Sequence, residues 1–450
     1  MTAKKIILMS AALGLASIGA QAQSTDSMQQ ALAQAQAAAA QAQAAAKQAQ
    51  AALEQALAAV EQAKKSNAAV AAAEPESKPL SGKGLTIGNS TSNATLYGLI
   101  DITLVNKSNA DKAGNSVTSP QVAWFSGNRW GITGSHATGT GDDAIKAIFR
   151  LESEFESETG NMDTPGTIFN RDAWLGIESQ SLGNLTFGRQ NALARDPAAS
   201  ATYGDPYGSA KASVEEGGYT NNNDFKQLIF YAGSADGTRI NNGVVWKKAF
   251  SNGVVAGAQY AFGTTTGSFG TGSSMTGSLA YNGSNYTIAG FATSANVSDL
   301  KHKTLSIGGN VQVTPLIRLN AGYFDYSAQQ AAGFGDRKDK AWTLSTKLTP
   351  GGAFDYALGY QVMSASNAGI NSSGYVLDAY KDTSAGGGLI KGVASGDRST
   401  VYGSVFYHLD SVTEFYLAAD HLSTTGGYLA AQAKGFNAQT DLGVGMRYKF

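Results

Sequence analysis

The sequence predicts an all-β chain: a 16-stranded antiparallel transmembrane β-barrel preceded by an N-terminal α-helical coiled-coil segment. Three observations carry this. Apolar and polar residues alternate with period two from Thr95 to Phe450, the turn signals between the alternating runs switch between short and long, and a separate Ala/Gln-rich run precedes the first strand. Composition agrees. Gly is 54 of 450 residues, Pro 8 and Cys 0, and charged residues are 15%, well under the usual quarter of a soluble chain. Without Cys there is no disulfide framework, no thiolate nucleophile and no Cys-ligated metal. A formal net charge of −1 with no local Lys/Arg cluster argues against nucleic acid as a partner. After the N-terminal apolar stretch, no run reaches the roughly 18 apolar residues a spanning helix needs.

The N-terminus reads as an export signal over residues 1–22. Lys4 and Lys5 precede an apolar stretch from Ile6 to Ile18, and Ala20-Gln21-Ala22 fits the small-x-small cleavage rule. Residues 23–66 are almost all Ala, Gln, Glu and Lys, a helix-forming composition. Met28, Leu32, Leu53 and Val60 lie on a seam of alternating four- and three-residue spacings otherwise filled by Ala, while Leu57 falls off it. That seam predicts a periplasmic coiled-coil arm; a partly helical, extended spacer is the other reading. An isolated Ala-rich helix is marginal in water, which favours self-association. Pro75, Pro79, Gly82, Gly84 and Gly88 mark residues 67–93 as a linker, and 94–450 as the barrel.

Within the barrel segment, Leu305, Ile307, Val311 and Val313 alternate with Thr304, Ser306, Asn310 and Gln312, and Leu442, Val444, Met446, Tyr448 and Phe450 with Asp441, Arg447 and Lys449. A soluble sandwich alternates too, so connection lengths decide. Sixteen strand-like runs start near residues 95, 128, 143, 168, 182, 239, 253, 273, 284, 303, 316, 340, 353, 398, 412 and 438. Even-numbered runs end in short turns such as Asn282-Gly283 and Thr314-Pro315. Odd-numbered runs lead into long polar connections, notably 106–127, 191–238 and 364–397. An even strand count with alternating short and long connections is the pattern of an outer-membrane barrel, and sixteen strands enclose an aqueous lumen.

Several segments then carry a family resemblance. Thr95-Leu-Tyr-Gly-Leu-Ile-Asp101, Ser126-Gly-Asn-Arg-Trp-Gly-Ile132, Ala147-Ile-Phe-Arg-Leu-Glu-Ser153, Leu185-Thr-Phe-Gly-Arg-Gln190, Arg239-Ile-Asn-Asn-Gly-Val-Val-Trp246 and Tyr448-Lys-Phe450 resemble successive strand motifs of the Gram-negative general porins. The resemblance implies a trimeric barrel in the outer membrane that passes small hydrophilic solutes and ions by passive diffusion, with its third outside loop folded inward as a constriction. It implies Tyr448 and Phe450 as the assembly signal, and wall arginines at Arg129, Arg171 and Arg239. It does not cover residues 23–93.

Parity on the third strand adds Lys146, Arg150 and Glu152 to the lumen wall, where the carboxylate can hold neighbouring guanidiniums. Arg318, Lys347 and a solvated His408 face the lumen on the same argument, while Arg189 points outward and suits an intersubunit bond. The loop 191–238 offers Asp196, Asp205, Glu215, Glu216 and Asp224 as the acidic face of the constriction. Selectivity in such a pore comes from its diameter and its electrostatic barriers; the local arginine excess leans towards anions.

Two other function classes have their own requirements. An outer-membrane enzyme needs a nucleophile, base and orienting group, yet the four His lie on separate segments and no GxSxG or HExxH occurs, so no catalysis, metal or cofactor is expected. A structural tether would use the arm to reach peptidoglycan while the barrel anchors it. Within the transport class, a solute-specific channel, for an organic anion for example, is a further reading.

Overall fold

The computed structural model describes residues 84–450 apart from positions 122, 140, 142–143, 196–238, 298, 350–351 and 377–390. The expected signal peptide, the helical arm and most of the linker lie outside the described residues. The strands are β1 (Leu85–Gly88), β2 (Ser92–Lys107), β3 (Val117–Gln121), β4 (Arg129–Ala137), β5 (Lys146–Glu154) and β6 (Asp172–Ser179). There follow β7 (Gly183–Asn191), β8 (Arg239–Ala249), β9 (Val254–Ala261), β10 (Ser274–Asn282), β11 (Tyr286–Val297) and β12 (Leu300–Thr314). The last six are β13 (Ile317–Ala328), β14 (Arg337–Leu348), β15 (Phe354–Ile370), β16 (Gly392–His408), β17 (Thr413–Thr424) and β18 (Ala438–Lys449).

Sixteen of these close a barrel. β2 pairs with β4, each later strand pairs antiparallel with the next, and β18 returns to β2. β1 and β3 are additions to the wall, both paired with β2. The side chains settle what surrounds the barrel. On β12, His302, Thr304 and Ser306 are buried while Leu305 and Ile307 are 63% and 59% exposed; on β14, Arg337, Asp339 and Thr343 are buried while Trp342 and Leu344 are exposed. A soluble sandwich turns its apolar face inward. Here the apolar face is outside and the polar face inside, the inversion that a lipid surround demands.

The structure corrects the expected connections in four places. β11 and β12 pair to their tips, Val297↔Leu300, so an outside connection expected to be long is two residues, 298 and 299, with Asp299 at φ 66. Asp is among the few non-Gly residues that tolerate this left-handed conformation. β15 and β16 pair beyond the expected boundary, to Ile370↔Gly392 past an irregularity between Ala365 and Ala368, which shortens the connection expected over 364–397. The first outside connection is not all polar or outside: Trp124 and Phe125 are buried, and Phe125 packs on Phe406 and Tyr416 at centroid distances of 4.8 and 4.9 Å. The expected linker ends inside the wall. β18 pairs with β2 down to Lys449↔Leu99, and beneath it β1 continues along the same edge, Leu85↔Leu96 to Gly88↔Asn93.

The seam where β18 meets β2 is tied at its end by the chain terminus. Gly98 N–H donates to the Phe450 carbonyl at 2.9 Å, and Phe450 N–H donates back at 3.0 Å. The Phe450 ring lies across Gly98, and a Cβ at that glycine would sit 2.2 Å from the ring's Cζ. Gly98→Val should therefore displace Phe450 and loosen closure, with a loss of about 1–3 kcal/mol typical of overpacking. The check is urea unfolding and heat-modified gel mobility, in which the variant should convert to the unfolded band at a lower temperature than the parent.

Candidate functional site

The densest charge on the inner wall lies across β2, β4, β5, β6 and the start of β8. Register places it there. Tyr97, Gly131, Glu152 and Asp172 are cross-strand partners in one row, and Thr133, Arg150, Trp174 and Gly188 form the next. Glu152 is buried and central. It accepts from Tyr97 Oη at 2.7 Å and from Arg171 Nε, while Arg171 Nη1 donates to Glu154. The Arg171 side chain is only 7% exposed. Two carboxylates so placed need that guanidinium, because buried charges persist only when paired and hydrogen-bonded.

The remaining wall cations surround this core. Arg129 donates from Nε to the Gly127 carbonyl at 2.9 Å and adds its positive field to Glu152 and Glu154. Arg239, at the head of β8, lies within electrostatic reach of Glu154 and Asp172 and of the cations Arg171 and Arg195. Arg150 Nη1 is 3.7 Å from Asp172 Oδ2, with the side chain 40% exposed. Lys146 stands lower on β5, 3.9 Å from Glu178 and well exposed. Among the described residues the cluster holds five guanidiniums (129, 150, 171, 195 and 239) and three carboxylates (152, 154 and 172), an arginine excess on one side of the lumen.

The structure thus brings Arg129, Arg150, Arg171, Arg239 and Glu152 together and sets Lys146 apart from them. Arg171 differs from a free wall charge: it sits before β6, where the chain bends, so its side chain turns in to the carboxylates although its neighbour Asp172 holds the inward position. Sequence reading left Glu154, Asp172 and Tyr97 out of the site. Glu154 shares its strand face with Glu152, while the places of Asp172 and Tyr97 come from cross-strand register. The loop carboxylates Asp196, Asp205, Glu215, Glu216 and Asp224 lie outside the described residues. The root of that loop does bend inward: Leu193 N–H donates to Gln259 on the inner face of β9, and Leu193 and Ala194 are buried. Arg189 points outward as expected, but bonds within its own chain, to the Asn170 carbonyl at 2.7 Å and Asn241 Oδ1 at 2.6 Å.

A second charged group lines β14 to β18 towards the short-turn end. His408 is not merely solvated: Nε2 is 3.1 Å from Asp355 Oδ2 and Nδ1 is 3.1 Å from Glu414 Oε2. Lys347 approaches Asp355 at 3.6 Å, Lys449 approaches Glu414 at 3.4 Å, and Arg447 donates to Glu414.

A closed sixteen-strand barrel, apolar outside and charged within, is an outer-membrane β-barrel. A family model described as Gram-negative porin matches residues 10–427, and the chain belongs to that family. It is 35% identical over 127 residues to an outer membrane porin protein of Bordetella pertussis, a match covering 26% of this chain and 31% of that relative. Among solved structures it resembles an anion-selective porin from Comamonas acidovorans, 19% identical, covering 80% of this chain and all of that one at a TM-score of 0.60. OmpT of Vibrio cholerae is 12% identical at a TM-score of 0.55, covering 81% of this chain and 100% of that one.

Replacing Arg171 by Ala leaves Glu152 and Glu154 paired less well and still largely enclosed. Breaking a buried pair from one side costs about 3–5 kcal/mol, so the variant should unfold in urea well before the parent. Arg129→Ala should cost less, since Arg129 acts more weakly than Arg171 on both Glu152 and Glu154. Equal midpoints for the two variants would refute the central place given to Arg171.

Proposed function

We propose that the chain forms a water-filled channel for passive diffusion of small hydrophilic solutes and ions across the outer membrane of a Gram-negative bacterium, with a preference for anions. The observation that carries this reading is the arginine excess on the inner wall of a closed barrel. Arg150 is 40% exposed while Arg171 is held on the carboxylates behind it, so a permeating ion meets a fixed field rather than a tight binding site, and selectivity follows from diameter and electrostatic barriers. The Comamonas porin with the same fold is anion-selective, which supports the sign. A homotrimer is the assembly the family resemblance implies, and a trimeric form of the Vibrio protein has been solved.

Purified protein in planar bilayers should conduct in steps, and a salt gradient should give a reversal potential of anion-selective sign. Replacing Arg129, Arg171 and Arg239 together by neutral residues should move that potential towards cation preference and raise conductance. An unmoved potential would remove those three from the constriction.

The N-terminal segment supports a second, structural role. Residues 28–63 as a helix would reach about 50–55 Å, and both barrel ends of an even-stranded chain lie on the periplasmic side. Three arms leaving one trimer would meet at high effective concentration, as a coiled coil directed at peptidoglycan. Deleting residues 24–66 should leave conductance nearly unchanged and lower the heat stability of the trimer or its retention by cell-wall sacculi. A large change in conductance would instead make the arm a plug.

A further inference from the structure

Trp174 is the one tryptophan among the described residues that shares a row of the basic wall, and an electrostatic pore has no use for it. It stands on the inner face of β6 below Asp172, with Arg150 as its partner on β5 and Gly188 on β7. Arg150 Cζ lies 6.0 Å from the Trp174 ring and 5.8 Å from the Tyr97 ring, within cation–π range of both. Tyr97 is held in that position from both ends. Its hydroxyl donates to Glu152, and its ring lies over Gly131, where a Cβ would approach the phenol oxygen to 2.7 Å.

The guanidinium is thus flanked by two aromatic side chains and only loosely paired, at 3.7 Å from one carboxylate oxygen and 40% exposed. Its Nε is buried without a hydrogen-bond partner among the described residues, so the exposed part of the side chain is its guanidinium end. The inner-face neighbours of Trp174 towards β7, Gly176 on its own strand and Gly188 across, carry no side chain to cover the indole. An inorganic anion would gain nothing from the rings. A ligand with a carboxylate for the guanidinium fork and a flat ring for the indole would use every part.

We propose that Tyr97, Arg150 and Trp174 form a lumenal dwell site for planar aromatic carboxylates, which deepens the channel reading and rests on it. The carboxylate takes the open side of Arg150, and its ring stacks on Trp174. Such a site would make the pore discriminate among organic anions of equal charge.

The test uses the purified full-length channel in planar bilayers, first in KCl alone, then with benzoate or cyclohexanecarboxylate, acids of similar size and charge that differ in aromaticity. Half-blocking concentration is scaled to each variant's own KCl conductance. Benzoate should block the parent at about three- to tenfold lower concentration than cyclohexanecarboxylate, the scale of one aromatic contact. Trp174→Ala should erase the difference and Trp174→Phe should keep part of it, whereas Leu175→Ala, on the lipid face, should keep all of it. Equal block of the parent by the two acids overturns the site without any variant, as does a benzoate preference that survives Trp174→Ala. A protein that fails to conduct in KCl defeats the channel reading itself, before either acid is added.

Discussion

Everything in this molecule hangs on closing the sheet. In the hydrocarbon of a membrane no water satisfies a free amide or carbonyl, so a sheet with an open edge cannot remain there. The last strand must find the first. β18 does so over nine residue pairs, from Asp441↔Lys107 to Lys449↔Leu99, and the terminal Phe450 completes the tie through both backbone bonds to Gly98. With antiparallel pairing throughout, closure requires an even number of strands, and the lipid surround puts the apolar face outward. Closure also leaves every inward position to be filled by residues that water or partner charges can satisfy.

Once the wall is closed, the lumen becomes an electrostatic problem. On one side, β2 to β8 gather guanidiniums around Glu152, Glu154 and Asp172; on the other, β14 to β18 gather Asp355, His408, Glu414, Lys347, Arg447 and Lys449. In both, carboxylates lie near the centre and cations around them, which lets charges of like sign stand close together on adjacent strands. The inner wall is not uniformly polar either. Phe125, Phe406 and Tyr416 form an aromatic pad where the return limb of the first connection tucks inside, and the Asp101 carboxylate secures that limb by accepting from the Phe125 and Ser126 amides at 3.2 and 2.9 Å. The lumen is therefore shaped by at least two connections, the first and the root of the third.

Most of the fold was legible in the chain. Fifteen of the sixteen expected strand starts fall within four residues of the observed ones, such as 95 against 92, 128 against 129, and 239 and 438 on the residue; the exception is 398 against 392. Period-two alternation is a local property, and a barrel wall reads it out directly. Lumen parity was equally legible at Arg150 and Glu152, both mid-strand. It says nothing at Arg171, whose place on the wall came from the family resemblance, or at the Trp124-Phe125 pair, because alternation holds only while the backbone is extended and both lie where the chain bends. The short turn between β11 and β12 escaped for a related reason: strand runs longer than their neighbours absorb residues that otherwise read as loop.

The sequence by itself determined the class of molecule, the number of strands in the closed barrel and the face presented by residues in the middle of a strand, because each of these follows from periodicity and composition along a single strand. Only the tertiary structure decided which charges meet. That Arg171 bridges Glu152 and Glu154, that Tyr97 crosses Gly131 to reach Glu152, and that Phe450 rests on Gly98 at the far end of the chain all depend on cross-strand register. Register is set by the closure of the whole sheet, so no local stretch of sequence contains it.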